Sequence, residues 1–374
     1  MSLVNAAIRP GRPNNSRLPS PVSRLLFPLL PPLAALLLAA VVGDILILSY
    51  GQSPSEVYTL LLEGTWGNAY GLGQVIYKAT TLAFTGLAVA LGIRAGLFNI
   101  GAEGQLAMGG FCAALMGLVL PVGSTALLAV PLCLAAAAVG GAGVASVPGY
   151  LKARFGASEV IVTIMVNLVT LALLNWLIAT RGLNVAESLH TRQLHAGAVP
   201  RLSSVIDAFQ GSAANFVLVV ALAAAASVWW FLFRTRAGYD LRAVGLQPDA
   251  AEYGGVKVGA VWFRAMLLAG ALAGLGGTNY VLGYKQYYEE GFAAGAGFLG
   301  IAVALVGRNH PTGVIIAALL FATLSQGGLA VNAMVPKQMV DVLTAVVIVA
   351  VAVSVPEVQR FMRGALASAR GGSR

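Results

Sequence analysis

The sequence predicts an all-α fold: one polytopic membrane bundle of about ten transmembrane helices, with a short half-helix or re-entrant segment near 297–307. Three observations predict it. The 374 residues are 58% hydrophobic and only 10% charged, with a mean hydropathy of +0.82. Soluble domains carry about 25% charged residues. The apolar residues gather in runs close to the ~20 residues that cross a hydrocarbon core. The basic residues alternate between loops in the way that orients a multi-span chain.

Residues 1–24 carry Arg9, Arg12, Arg17 and Arg24 among Pro, Asn and Ser, and read as a disordered cytoplasmic arm. The apolar stretch from Leu25 to Tyr50 exceeds the core of a signal peptide, about 7–15 residues, so it reads as an uncleaved first span over 30–50. Residues 54–64 place Val57, Leu60 and Leu61 at helical spacing beside Glu56 and Glu63. This pattern is that of a short interfacial helix, followed by Trp66 and Tyr70 at headgroup depth. Further spans are expected at 75–93, 100–120, 125–148, 158–180, 214–233, 262–283, 311–331 and 338–356. The run 297–307 is too short for a straight crossing. Broken helices of that kind are tolerated where protein or water covers the backbone. One membrane domain over 25–356 and a basic cytoplasmic tail over 357–374 complete the organisation.

Charge tests the count. With the N-terminus inside, ten crossings place all but six of the 23 basic residues on the cytoplasmic side. The six are Lys78, Arg181, Arg192, Arg201, Lys285 and Lys337. Both termini are then cytoplasmic. The net charge of +9 follows from this bias. Basic side chains and aromatics form no shared stripe, so nucleic acid is not an expected partner. Cys112 and Cys133 lie in apolar segments and read as small buried residues. Gly92/Gly96 and Gly270/Gly274 are small-xxx-small pairs, a weak signal in a chain with 45 glycines.

Two segments carry the functional information. The first is Gly96-Leu97-Phe98-Asn99-Ile100-Gly101-Ala102-Glu103-Gly104-Gln105. Polar groups at membrane depth are costly and face a bundle interior or a pathway. Glycines let a helix break and backbones approach. A polar, glycine-rich kink points to a conduit rather than an anchor. The second is the inner loop from Arg242 through Gly245, Pro248, Asp249, Ala250, Ala251, Tyr253 and Gly254 to Val256. Pro248 suits a first helical turn, Asp249 complements its positive end, the alanines favour helix and Gly254 can end it. The expected product is a helix of about two turns outside the bilayer. It is either an ordinary capped loop or a small-residue helix that docks in a partner's groove.

Other patterns carry less. No Gly-x4-Gly-Lys-Ser/Thr loop is present, so the chain binds no ATP in that fashion. Gly295, Gly297 and Gly300 match a dinucleotide fingerprint in letters but lack its strand–helix setting; they suit a hinge before a half-helix. His190 and His195 stand five apart in a loop, unlike a helical zinc pair, and no metal is expected.

The 96–105 segment, the 242–256 loop, and the run Gly300-Ile301-Ala302-Val303-Ala304-Leu305-Val306-Gly307-Arg308-Asn309-His310-Pro311 together resemble permease subunits of bacterial ABC importers. The branch is that of simple sugars and nucleosides, related to ribose and branched-chain amino-acid permeases. The wording Phe98 to Gln105 is most similar to the larger permease of nucleoside systems. The resemblance implies pairing with a second, similar permease or with another copy. It implies cytoplasmic ATPases docking at Gly245, Asp249, Ala250, Ala251, Tyr253 and Gly254, and an extracytoplasmic binding protein that delivers cargo. This chain departs from the common loop pattern at Gly254-Gly255, where an alanine often precedes the glycine. No cofactor is expected, ATP being used by the partner, and the chain itself is no enzyme.

Within that frame, Asn99, Glu103, Gln105, Asn167, Asn279 and Gln326 are the expected substrate-path residues, with Asn175 beside them. Amides both donate and accept, which suits sugar hydroxyls and ring heteroatoms. Hydrogen bonding between helices is their other reading. Arg181, Arg192 and Arg201 in the long outer loop are expected to meet acidic groups on the binding protein. The alternative function is an ion-coupled secondary transporter, with Asp44, Glu103 and Asp341 carrying the coupling.

Overall fold

A computed structural model of the chain describes residues 30–180, 183, 185, 188–293, 295–336 and 338–350. The expected arm 1–24, the tail 357–374 and Arg181 lie outside the described residues. The helices run α1 Leu30–Ser49, α2 Pro54–Thr65, α3 Ala69–Arg94, α4 Ala102–Val119, α5 Ala126–Phe155 and α6 Glu159–Thr180. They continue with α7 Val217–Arg234, α8 Arg236–Leu246, α9 Pro248–Tyr253, α10 Val258–Tyr280, α11 Ala296–Val306, α12 Pro311–Ala330 and α13 Gln338–Ala350. Among the described residues, 7 helices are long and apolar enough to cross a membrane: α3 to α7, α10 and α12. Ala40–Ser49 of α1, with α11 and α13, are shorter apolar helices.

The bundle is built around α10, which packs against α3, α4 and α5. Lipid offers no hydrophobic drive between helices, so close backbone approach must supply the attraction. Small residues make that approach here. A Cβ added at Gly274 would stand 2.3 Å from the Ala137 carbonyl oxygen, and one at Gly270 would stand 2.5 Å from that of Gly141. A Cβ added at Gly109 on α4 would likewise stand 2.3 Å from the Gly274 Cα. The pair Gly270/Gly274, statistically unremarkable in the sequence, is thus a three-helix seam. Helix α5 runs for 30 residues through Pro131 and Pro148, longer than the 125–148 expectation. Membrane helices absorb such prolines because neighbouring groups satisfy the freed carbonyls.

The two ends of the bundle differ. At one end Arg94 donates its Nε–H to the Asn309 carbonyl at 2.9 Å, while Arg94 and Arg242 both lie over the Phe233 ring. Lys152 pairs with Glu159 at 2.9 Å and covers Trp262. At the other end the interfacial helix α2 packs on α12, and Trp66 donates its Nε1–H to Thr323. There the loop around 188–199 lies on 282–288, with the Thr191 N–H donating to the Tyr288 carbonyl and the Leu194 N–H to that of Gln286, both at 2.8 Å.

After α10 the chain makes a π-helical turn, Val281–Lys285, and reverses at Gln286 in the left-handed region, φ 61°. It then re-enters the bundle. Helix α11 begins at mid-depth, with Gly297 against Glu103 and Gly300 against Thr85 in the middle of α3. It ends where the turn at Gly307 to His310 meets Arg94. This is the half-helix expected near 297–307.

The seam predicts a mutational contrast. Gly274→Ala drives a methyl into backbone and is expected to cost about 1–3 kcal/mol, the range for overpacked cores. Gly143→Ala on α5 meets nothing within 4 Å and is expected to be silent. Thermal unfolding of the two variants in detergent, followed by size-exclusion recovery, measures the difference.

Candidate functional site

The 96–105 segment folds into a closed polar knot. Gly96 turns the chain at φ 75°, where a Cβ would stand 3.2 Å from the Gly245 Cα of α8. Asn99 and Gln105 exchange hydrogen bonds, Nδ2–H to Oε1 at 2.9 Å and Nε2–H to Oδ1 at 3.0 Å. Asn167 of α6 staples the knot from outside: its Oδ1 accepts from the Gly104 N–H and its Nδ2–H donates to the Ile100 carbonyl, both at 2.9 Å. All three amides are buried.

Glu103 belongs to the same knot and points the other way, into the start of α11. One carboxylate oxygen accepts from the Gly295 N–H at 2.8 Å and the other from the Gly297 N–H at 2.7 Å. The first N–H groups of a helix have no partner inside it, and the helix dipole favours an anion there. Glycine is required at both positions. Gly295 holds φ 81°, and a Cβ on Gly297 would lie 2.3 Å from the Glu103 nitrogen. The two glycine-rich segments of the sequence are therefore the two halves of one contact.

Asn279 and Gln326 lie elsewhere. Asn279 is buried on α10, donates to the Tyr77 carbonyl and to Thr81 Oγ1 at 2.8 Å, and accepts from Asn215 at 2.9 Å. It ties α10 to α3 and to the start of α7. Gln326 is buried on α12 beside Ser325. Asn175 donates to Glu290 in the outer loop.

Between α3, α10, α11 and α12 lies a cavity of about 260 Å³. Its walls include Tyr77, Lys78 and Thr81 from α3, Tyr280 from α10, Phe292 from the re-entrant segment and Ser325 from α12. The Lys78 ammonium donates to Ser325 Oγ at 3.3 Å. The rings of Tyr280 and Phe292 stack at 4.9 Å. None of these six stood among the expected path residues. One signal for them was present: a lysine four residues into the apolar run 75–93, where a charge is expensive unless it faces water. Grouping it with the outer loops hid its depth.

At the basic end α8 and α9 form the loop structure expected around 248–254. Pro248 opens α9, Asp249 stands in its first turn, and Gly254 follows its last residue. The left-handed turn falls one residue later, at Gly255 with φ 85°. Ala251 is buried, while Asp249, Ala250 and Gly254 are exposed. Tyr253 is 95% exposed and Leu246 85%. Gly245 sits on the Arg94 carbonyl, so the loop is seated directly on the end of α3. In the turn beside it, burial and the Arg94 charge hold His310 below the usual imidazole range.

The capping contact yields a second expected outcome. Glu103→Gln keeps one acceptor but turns an amide N–H toward a backbone N–H. A charge-assisted hydrogen bond is worth about 1.5–3 kcal/mol, so a loss of that size is expected. Hydrogen exchange should quicken at the amides of Gly295 and Gly297 while α5 and α10 keep their protection.

Residues 71–352 match the family described as branched-chain amino acid transport system, permease component. The guanosine ABC transporter permease protein NupP of Bacillus subtilis is 37% identical over 329 residues, 87% of this chain and 93% of that one. The nucleoside ABC transporter permease protein NupB of Lactococcus lactis is 34% identical, covering 86% and 90%. The glucose ABC transporter permease protein TsgB13 of Haloferax volcanii is 32% identical, covering 85% of each chain. With its run of apolar helices and this likeness across most of its length, the chain is a multi-pass membrane protein that belongs to the permease family of branched-chain amino acid transport systems.

Proposed function

We propose that this chain is the membrane-spanning permease subunit of an ABC importer, forming a path for nucleosides or related simple sugars that a separate ATPase drives. The observation that carries the reading is the coupling surface at the basic end. An exposed Tyr253 and Leu246 flank the small Ala250, while Ala251 anchors the helix beneath. Exposed aromatic and apolar side chains on an otherwise packed element mark a docking face. The basic end is the cytoplasmic one by the positive-inside rule, which puts both termini there in a bacterial plasma membrane.

ATP is hydrolysed in the partner, and the chain takes no cofactor of its own. The ATPase biases two states of the permease by binding one of them better. Its push enters through Gly245 on the Arg94 carbonyl and Gly96, the hinge of the polar knot. Asn99, Gln105, Asn167, Glu103 and Asn279 serve the path by holding its walls, and Gln326 follows Ser325 of the cavity wall along α12. A second, homologous permease completes the conduit.

At the opposite end Arg192 and Arg201 are exposed. Arg201 donates to the Tyr284 carbonyl at 2.9 Å and lies over that ring, so it shapes the outer loop. Together with Arg181 they offer positive charge to a binding protein. Ion coupling is set aside, because the relatives are ABC transporter permeases. Asp44 lies beside Tyr58, whose hydroxyl is pushed up to about 12 by burial and then by that carboxylate. Asp341 is exposed.

Two measurements test the reading. Ala250→Arg is expected to abolish co-purification of the ATPase while the permease stays folded; full retention of the ATPase removes α9 from the coupling role. Arg192→Glu is expected to cut binding-protein-stimulated ATP hydrolysis several-fold and leave basal hydrolysis intact. Unchanged stimulation removes that arginine from docking.

A further inference from the structure

The cavity between α3 and α10–α12 narrows the cargo, and this step rests on the function proposed above. Three aromatic side chains, Tyr77, Tyr280 and Phe292, wall it from three separate segments of chain. Its polar side-chain groups are one ammonium, Lys78, and the hydroxyls of Tyr77, Thr81, Tyr280 and Ser325, of which that of Tyr280 is already donated to Glu289. Among the described residues lining it there is no carboxylate and no side-chain amide. The nearby amides are already spent: Asn279 on Tyr77 and Thr81, and Asn99 on Gln105. A bare sugar is a set of vicinal hydroxyls, and it is held well by carboxylates, which accept from two of them at once, and by amides, which accept and donate side by side. This cavity has none to offer. What it offers is flat π surface, which holds any heteroaromatic ring by stacking, together with an ammonium that donates to a ring carbonyl or ring nitrogen.

Lys78 supports the same assignment from cost. It lies more than two turns into α3, counted from Ala69, and a charge at that depth must face water or a partner. It meets Ser325 across the cavity at 3.3 Å, so its ammonium is aimed into the path rather than at lipid.

We infer that this cavity is a cargo-selecting subsite of the permease that recognises a planar heteroaromatic ring, so that nucleosides pass and free pentoses and hexoses, which carry no such ring, do not. Tyr77 and Phe292 supply the stacking faces and Lys78 the donor to the ring. Selection at this point adds to whatever the binding protein selects outside.

The test uses the complete transporter in liposomes, with its ATPase, partner permease and binding protein. Azidouridine is expected to photolabel peptides containing 77–81 or 280–292, and unlabelled uridine but not ribose should displace it. Tyr77→Leu and Phe292→Leu are each expected to lower uridine uptake per ATP hydrolysed about tenfold, in line with the loss of one base-stacking contact. Tyr77→Phe and Phe292→Tyr should restore it. Labelling elsewhere, equal displacement by ribose, or full uridine uptake by assembled leucine variants overturns the inference. Where a leucine variant does not assemble, labelling of the unaltered transporter decides alone. Failure of the underlying reading looks different: the unaltered transporter would show no ATP-dependent uptake of uridine, ribose or glucose, and the subsite would fall with it.

Discussion

A helix that starts inside a membrane exposes N–H groups where no water can take them. Each unsatisfied group there costs several kcal/mol, on the order of the whole stability of a small domain. In this chain the helix is α11, and the Glu103 carboxylate takes the N–H groups of Gly295 and Gly297. The rest of the interior follows from that contact. Glu103 must be buried, so its own segment must be held, and the Asn99–Gln105 exchange and the Asn167 staple hold it. Glycine must stand at 297 because the two backbones touch. The cost of a broken helix is met by a second broken segment facing it.

That arrangement joins three regions along α3. Near its outer third α3 gives Tyr77, Lys78 and Thr81 to the cavity. At mid-depth it receives α11 at Thr85, whose hydroxyl donates to the Ala296 carbonyl at 3.1 Å. At its end the Arg94 carbonyl carries Gly245, and the Arg94 side chain holds the turn after α11. A displacement of α8 and α9 therefore reaches both the end of the half-helix and the hinge at Gly96. Two consecutive residues in that turn, Arg308 and Asn309, sit in the left-handed region, φ 55° and 53°. Such backbone strain persists only where surrounding contacts over-determine it, which the Arg94 hydrogen bond does.

Much of this was legible in the residues. Spans read from hydropathy match α3 to α7, α10 and α12, although α3 begins at Ala69 rather than at 75 and α5 continues to Phe155 rather than stopping at Pro148. Hydropathy marks the lipid-facing middle of a helix and is blind to its ends. The brief run at 297–307 was readable as a half-helix because 11 residues cannot span. Pro248 and Asp249 announced α9. The amides at 99, 105 and 167 were legible as polar groups at membrane depth and were expected on the substrate path; the structure turns them on one another and on backbone, across up to 67 residues of sequence.

By itself the sequence determined the run of apolar helices, the basic end, the polar kink and the short helix at 248–253. Each is a local property: length of an apolar run, count of charges, or a turn signal, set by the price of polar groups in hydrocarbon. Only the tertiary structure decided that Glu103 caps α11, that Gly270 and Gly274 are a seam, and that Tyr77, Lys78, Tyr280, Phe292 and Ser325 share a cavity. Those are meetings between segments up to about 250 residues apart. Helix packing chooses such meetings through the fit of small side chains, and no window along the chain contains that fit.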